Sequence, residues 1–194
     1  LADAGDDCTA YEAPMSLPPE REVEFVNASD AAIIVVGVDC SGNYVQVEGT
    51  AGGRPVRAPA SCLPEPNACD LYLGRDIGGC TLLCVEAEPV RLEPGGARRV
   101  PWRTLAEAQA EIPGTCTVNG DSAQCSALVP IPPGDYTVSG SVIPVSDCVD
   151  PEACECPPDS DGSCAPPGPI RSNGFATVTA AYDGQCDVVQ LVYE

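Results

Sequence analysis

"IPPGDYTVSGSVIPV", residues 131–145, alternates through its middle: Tyr136, Val138 and Val142 fall to one side, Thr137, Ser139 and Ser141 to the other. Successive side chains of an extended chain point to opposite faces, so this period of two predicts a half-buried strand. Similar signals recur on both sides of it. "EVEFVN" (22–27) alternates Val23 and Phe25 with Glu22 and Glu24. "AAIIVVGV" (31–38) is a continuous, largely β-branched run, as expected of a central strand buried on both faces. "CSGNYVQVE" (40–48) then supplies a Gly-Asn turn and a returning strand, which predicts a hairpin over 31–48.

Further along, "TLLCVEA" (81–87) and "EPVRLEPGGARRVPW" (88–102) predict strands around a Pro-Gly-Gly turn. "CTVNGDSAQC" (116–125) predicts a hairpin turning at Asn119-Gly120, its flanking Cys116 and Cys125 placed to bridge each other or a neighbouring strand. "GFATVTAAYD" (174–183) and "CDVVQLVYE" (186–194) close the chain as two more strands. The one helix candidate is "TLAEAQAEIP" (104–113), where Thr104 and Glu107 form a capping box and Pro113 is the stop. Residues 49–80, rich in Gly, Pro and Ala, read as a long loop or a set of short pieces, clamped by Cys62, Cys69 and Cys80. About eight to ten short strands with regular turn signals predict an all-β sandwich with disulfide-clamped loops and at most one short helix. One domain, 21–194, follows an extended N-terminal arm, 1–20, and residues 147–172 form a disulfide-rich acidic insertion within it.

"RLEPGGARRVPW" followed by "IPPGDYTV" resembles the L-x-P-G and P-x-G-x-Y-x-V strand pair of immunoglobulin-like bacterial domains, including the BsuPI-type proteinase-inhibitor family. The likeness covers residues 90–145. It implies an immunoglobulin-like sandwich, with Pro133-Gly134 in a type II turn and Tyr136 plugging the end of the core. The whole chain is similar to uncharacterised cysteine-rich secreted proteins and predicted lipoproteins of high-GC bacteria, which share an early V-x-F-V-N strand, scattered cysteine loops and a late P-x-G-x-Y-x-V strand.

Composition narrows the function further. The 194 residues include 13 cysteines, far above the usage of a reducing cytosol, so the expected compartment is oxidising. The start, "LADAGDDCTAYEAP", lacks a basic region and an apolar stretch and reads as a mature end; the longest apolar run, Ala31–Val38, is too short to span a bilayer. The expectation is a secreted or outer-surface protein without membrane insertion. Twenty-nine acids against nine bases give a net charge of −20, which repels nucleic-acid phosphates. Every base is an arginine and there is no histidine, so imidazole-based triads and His-ligated metal sites are excluded. Neither a D-[TS]-G nor a G-x-S-x-G motif occurs, and Trp102 stands alone as a possible sugar platform. The reading is therefore not an enzyme.

"DCVDPEACECPPDSDGSC" (147–164) concentrates the remaining chemistry. Cys148, Cys154, Cys156 and Cys164 lack the C-x2-C pairing of a thiolate metal site and read as disulfide halves, with Cys154 and Cys156 in separate bridges because bridging across one residue is strained. Asp159 and Asp161 in "DSDG" are weak calcium candidates without a distal bidentate Glu; no other cofactor is implied. Cys8, Cys40, Cys62, Cys69, Cys80, Cys84, Cys116, Cys125 and Cys186 complete the disulfide candidates, and their odd total leaves one thiol free or intermolecular. Arg91, Arg98, Arg99 and Arg103 crowd around the "EPGGA" turn. Their pairing within the chain is one reading; docking the acidic 147–161 loop of a neighbouring copy is the sharper one. The functional expectation is a non-catalytic extracellular structural or adhesion module whose partner is protein, including other copies of itself, as in a surface filament. The alternatives are a proteinase-inhibitor-like module, with 62–69 and 148–164 as cystine-flanked loops, and a calcium-dependent binding module.

Overall fold

The computed structural model describes residues 8–11, 21–38, 43–51, 54–57, 69–74, 87–102 and 105–194. The protein is all-β. Its strands are β1 (Arg21–Asn27), β2 (Ile33–Val36), β3 (Val45–Ala51), β4 (Arg54–Arg57), β5 (Val90–Leu92), β6 (Ala97–Trp102), β7 (Leu105–Ile112), β8 (Ala123–Pro130), β9 (Asp135–Pro144), β10 (Ser163–Cys164), β11 (Ala176–Tyr182) and β12 (Val188–Tyr193). One turn of helix, Cys69–Tyr72, and short 3-10 turns are the helical pieces among the described residues. Cys40, Cys62, Cys80, Cys84 and Arg103 lie outside them, as do the 62–69 loop up to Cys69 and all but Ala87 of the strand expected at 81–87.

A three-stranded sheet, ordered β12-β1-β6, holds β1 parallel to β12 and antiparallel to β6. The larger sheet is organised by β9, the alternating segment from which the sequence reading started. β11 runs along one edge of it, while β2 and β3 follow one another along the other. Beyond them β2 continues to β5 and β10, and β3 continues to β4, β7 and β8.

The hairpin expected over 31–48 does not form. Val36 faces Ser141 and Val45 faces Gly140, consecutive residues of β9, so β2 and β3 are two pieces of one line interrupted by residues 37–44. The Val38 N–H donates to Asn43 O at 3.0 Å, closing this excursion. Gly42 of the expected Gly-Asn turn lies outside the described residues; the strands on either side do not pair with each other because both take the distant β9 as partner. Of the two readings of residues 49–80, the start fits short pieces rather than a long loop: β3 runs to Ala51 and pairs with β4, Glu48 through Ala51 facing Arg57 through Arg54.

The helix expected at 104–113 is instead β7, paired with β8 from Leu105↔Pro130 to Ile112↔Ala123. Ala106, Ala108 and Ala110 alternate with Glu107, Gln109 and Glu111, a period of two that fits a strand as well as their helix propensity fits a helix. Pairing on both sides, with β4 as well as β8, overrides that weak propensity. Ile112 is buried while Gln109 and Glu111 are exposed. Asn119-Gly120 does lie in the turn, with Gly120 at φ 81°.

The two sheets share a core. Val23, Phe25, Val100, Trp102, Val189 and Leu191 from the small sheet meet Val35, Val47, Leu92, Val138, Val142 and Val178 from the large one. Phe25 sits where β9 has no side chain: a Cβ at Gly140 would lie 2.5 Å from the Phe25 ring and 3.1 Å from Leu191. At one end Trp102 packs edge-on to Tyr182, ring centres 5.0 Å apart, and Tyr136 donates from its hydroxyl to Pro132 O at 2.8 Å. Tyr136 thus closes the core as expected, but Gly134 does not adopt the positive φ of a type II turn. Glycine suits the position for a different reason, since a Cβ would stand 3.0–3.2 Å from the Tyr136 ring and hydroxyl and would press on them.

Pro94-Gly95-Gly96 carries the chain from β5 in the large sheet to β6 in the small one, so these strands flank the turn without pairing with each other. Buried Asn27 holds the crossing: its amide donates to Ala31 O and Leu92 O, while its backbone oxygen accepts from Gly95 N. Elsewhere, Cys116 and Cys125 bridge neither each other nor an adjacent strand. Cys8–Cys116 ties the 3-10 turn Cys8–Tyr11 to the β7–β8 turn, and Cys69–Cys125 ties the helical turn to β8, around a small apolar cluster that includes Ile112.

Gly140→Ala tests the closeness of the sheets. Overpacking at this contact costs about 1–3 kcal/mol, which a denaturant midpoint measures; an unchanged midpoint would mean that Phe25 does not lie against β9.

Candidate functional site

The insertion after β9 is built on an apolar demand of the strands beneath it. Ile33 and Val35 of β2 point into the shared core, so Ile34 between them must point the other way, and it is fully buried. Ile34 and Ile143 form a second cluster with Cys148 and Cys154, flanked by Val36, Val145 and Ile170. The insertion therefore supplies the second cover that the β-branched run of residues 31–38 predicts.

Two short cystines shape it. Cys148–Cys154 and Cys156–Cys164 keep adjacent cysteines in separate bridges, as the one-residue spacing requires. Its two ends are stitched to each other, Cys148 lying opposite Ser172 in a β-bridge and Val149 N donating to Arg171 O, and it is tied to the sheet below where Ser163 and Cys164 form β10 opposite Leu92 and Arg91 of β5. Between these ties Glu152, Glu155, Pro157, Pro158, Asp159 and Ser160 remain exposed.

The arginine patch is engaged within the chain. Arg91, largely buried, donates from Nη1 to Cys154 O at 3.0 Å and from Nε to Glu93 at 2.8 Å. Arg98 lies 3.8 Å from Asp161 of the insertion. Arg99 reaches back to β1 instead, bonding Glu24 at 3.0 Å and Glu22 at 3.3 Å. The acidic loop docked by Arg91 and Arg98 is thus that of the same chain, and the Glu22–Glu24 stripe is an arginine partner that the sequence reading passed over. Arg99 and Gln190 hold the Glu24 carboxyl below its ordinary range by hydrogen bonding to it.

Of the calcium candidates, Asp161 already has partners. One oxygen accepts from the Ser163 hydroxyl at 2.7 Å and from the Ser163 N–H at 2.9 Å, and the other faces Arg98. The Ser163 hydroxyl bond, then its amide bond and the Arg98 charge, hold the carboxyl below its ordinary 3.8. Asp159 N donates to Ser163 O, and Gly162, at φ 75°, returns its N–H to Asp159 O, so "DSDG" is a closed turn. The D-x-S spacing of Asp161 and Ser163 was the sequence signal for it. Among the described residues no three His, Cys, Asp or Glu side chains converge as a metal site.

An open depression of about 420 Å³ is lined by Arg91, Glu155, Cys156 and Pro157, at the foot of the insertion. Cys186 is an exposed free thiol just before β12. Asp183, as hydrogen-bond acceptor and as a charge, pushes this thiol above its ordinary range and so disfavours the reactive thiolate. Four cystines among the described residues point to an oxidising environment, and no helix there is long and apolar enough to cross a membrane. Compared with protein-family models, curated proteins and solved structures, the chain matches none.

Because the folded Asp161 has a lowered pKa, its contribution to holding the turn is complete above its ordinary 3.8 and fades as the pH falls through the lower folded value. The Ser163 amide resonance is expected to titrate with a midpoint below 3.8. Ser163→Ala, followed at the Gly162 amide, should raise that midpoint more than Arg98→Gln does; the reverse order would make the ion pair, not the hydroxyl, the main cause.

Proposed function

We propose that the protein is a non-catalytic structural or adhesion module acting outside the cell, as part of a surface assembly. The observation that carries this reading is the insertion. Cystines, an arginine bond and a two-residue strand hold residues 148–164 on the sandwich, while the Pro157–Ser160 tip and the carboxylates Glu152, Glu155 and Asp159 face solvent. Such a segment binds with little ordering cost, because its shape is set before a partner arrives. Its acidic surface suits a basic protein face, and its irregular backbone on a rigid scaffold is where recognition usually resides. The oxidising environment that the cystines need is met on secretion.

A second reading rests on the same loop. Cys156–Cys164 closes an exposed loop at both ends, as a proteinase-inhibitor loop would be clamped, and a protease panel decides it: absence of inhibition at micromolar protein removes it. Calcium-dependent binding has less support, since Asp161 is engaged by Ser163 and Arg98.

Replacing Glu152, Glu155 and Asp159 together by the corresponding amides should leave the thermal midpoint nearly unchanged, as expected for exposed side chains that cost at most about 0.5 kcal/mol each. Retention of the protein on the surface of the cells that produce it should fall. Undiminished retention would count against the insertion as the adhesive element.

A further inference from the structure

Outside the insertion, the surface with the clearest unmet bonding capacity is the free edge of β12. This strand ends the small sheet, hydrogen-bonded to β1 on one side and to no strand on the other among the described residues, with β11 packed nearby. Asp187 O accepts from Glu22 N and Tyr193 O accepts from Ala28 N, so the odd-numbered residues direct their backbone groups towards β1. Backbone groups alternate sides along a strand, so Val188, Gln190 and Val192 present their N–H and C=O groups to the open edge.

Sheet edges in soluble proteins are usually blunted by charge, proline or a bulge. β12, "VVQLVY", has none of these, in a chain whose net charge is −20. Val188 and Val192 are also its exposed apolar side chains, 37% and 39% accessible, on the face away from the core. The pattern is self-complementary. With a two-fold axis at Gln190, antiparallel pairing sets Val188 opposite Val192 of a second copy, Gln190 opposite Gln190, and Val192 opposite Val188. All three are then hydrogen-bonded pairs, because all three residues already aim their backbone groups outward. Moving the axis by one residue either way breaks the valine match, setting Val188 opposite Glu194 or opposite Gln190. At each end Glu194 comes opposite residue 186 of the other copy. There the Arg21 guanidinium, bonded to Gln185 O and Asp187, offers a positive group.

We infer that a second copy of this chain is the occupant of the β12 edge, through antiparallel, two-fold pairing centred on Gln190. The inference rests on reading the protein as an assembling structural module, and it names the partner. The pairing joins two small sheets into one of six strands and closes as a dimer. Its driving contacts are backbone bonds and apolar side chains, while two copies of charge −20 repel. Association must therefore strengthen as salt is added, the opposite of an arginine patch docking an acidic loop.

Sedimentation equilibrium of the full chain at low and high salt tests this. The expected result is a dimer whose fraction rises with salt and persists in Cys186→Ser. Gln190→Pro deletes an N–H that points to the open edge and keeps the backbone ladder to β1, losing there only the exposed side-chain bond to Glu24; it should weaken association by about tenfold or more, while Gln190→Ala, which loses that side-chain bond alone, should leave association unchanged. Val188→Lys with Val192→Lys is the second variant. It sets like charges opposite one another at both ends of the pairing while reducing the overall repulsion, and it too should give monomer. A monomeric native chain at every salt concentration, a dimer that survives both edge variants, or one that vanishes only in Cys186→Ser would each overturn the inference. A monomer that is nevertheless retained on cells would remove the edge pairing alone and leave the module reading standing.

Discussion

Ile34 lies between two residues committed to the space between the sheets, so its own side chain has to be kept from water on the opposite face. That demand organises the rest of the molecule. A fully buried isoleucine is worth about 1.5–3 kcal/mol, and Ile34 and Ile143 together are too large an apolar surface to leave under a loose loop. The segment that covers them has no long strand or helix of its own to lend it stiffness, only two turns of 3-10 helix and a two-residue strand. Sulfur provides the stiffness.

The four described cystines divide the work by span. In the chain-entropy treatment a loop of about 100 residues removes about 4.7 kcal/mol of unfolded-state freedom, and one of fewer than ten residues removes roughly half as much. Cys8–Cys116 and Cys69–Cys125, spanning 108 and 56 residues, therefore do most to hold distant parts of the chain in the folded state. Cys148–Cys154 and Cys156–Cys164, spanning 6 and 8, mainly fix local shape. The arginines follow a similar logic. Exposed ion pairs contribute little individually, yet Arg99 ties β6 to β1, and Arg91 and Arg98 tie the insertion to the strands below it. In so acidic a chain the positive groups are placed where segments join.

What could be read from the sequence was what depends on period. Val23 and Phe25, Ile33 to Val35, and Tyr136, Val138 and Val142 announced their strands and the face each would bury, and Cys154 and Cys156 announced separate bridges. What could not be read was pairing at a distance. Gly42-Asn43 looks the same whether it reverses a strand or closes a side loop, and the difference lies in β9, far along the chain. Residues 104–113 satisfied both periods, and only the presence of β4 and β8 on either side decided between them. Arg91, Arg98 and Arg99 were visible as a cluster, but Cys154 O, Asp161 and Glu24 became their partners only once β5, β6 and β1 were in place. Gly134 was noticed for the wrong reason: its backbone is ordinary, and its bare Cα makes room for an aromatic ring.

The interrupted line formed by β2 and β3 bears on how such a chain can change over evolutionary time. Val36 and Val45 face neighbouring residues of β9 whatever lies between them, so the eight intervening residues set no register. The closing entropy of a flexible loop grows only slowly with its length. Tyr44, at the end of the excursion, packs edge-on to Phe25 and belongs to the frame; insertions or deletions between Val38 and Asn43 would leave that contact in place, and this stretch is a port through which a lineage, or a protein engineer, could graft new binding sequence onto an unchanged frame.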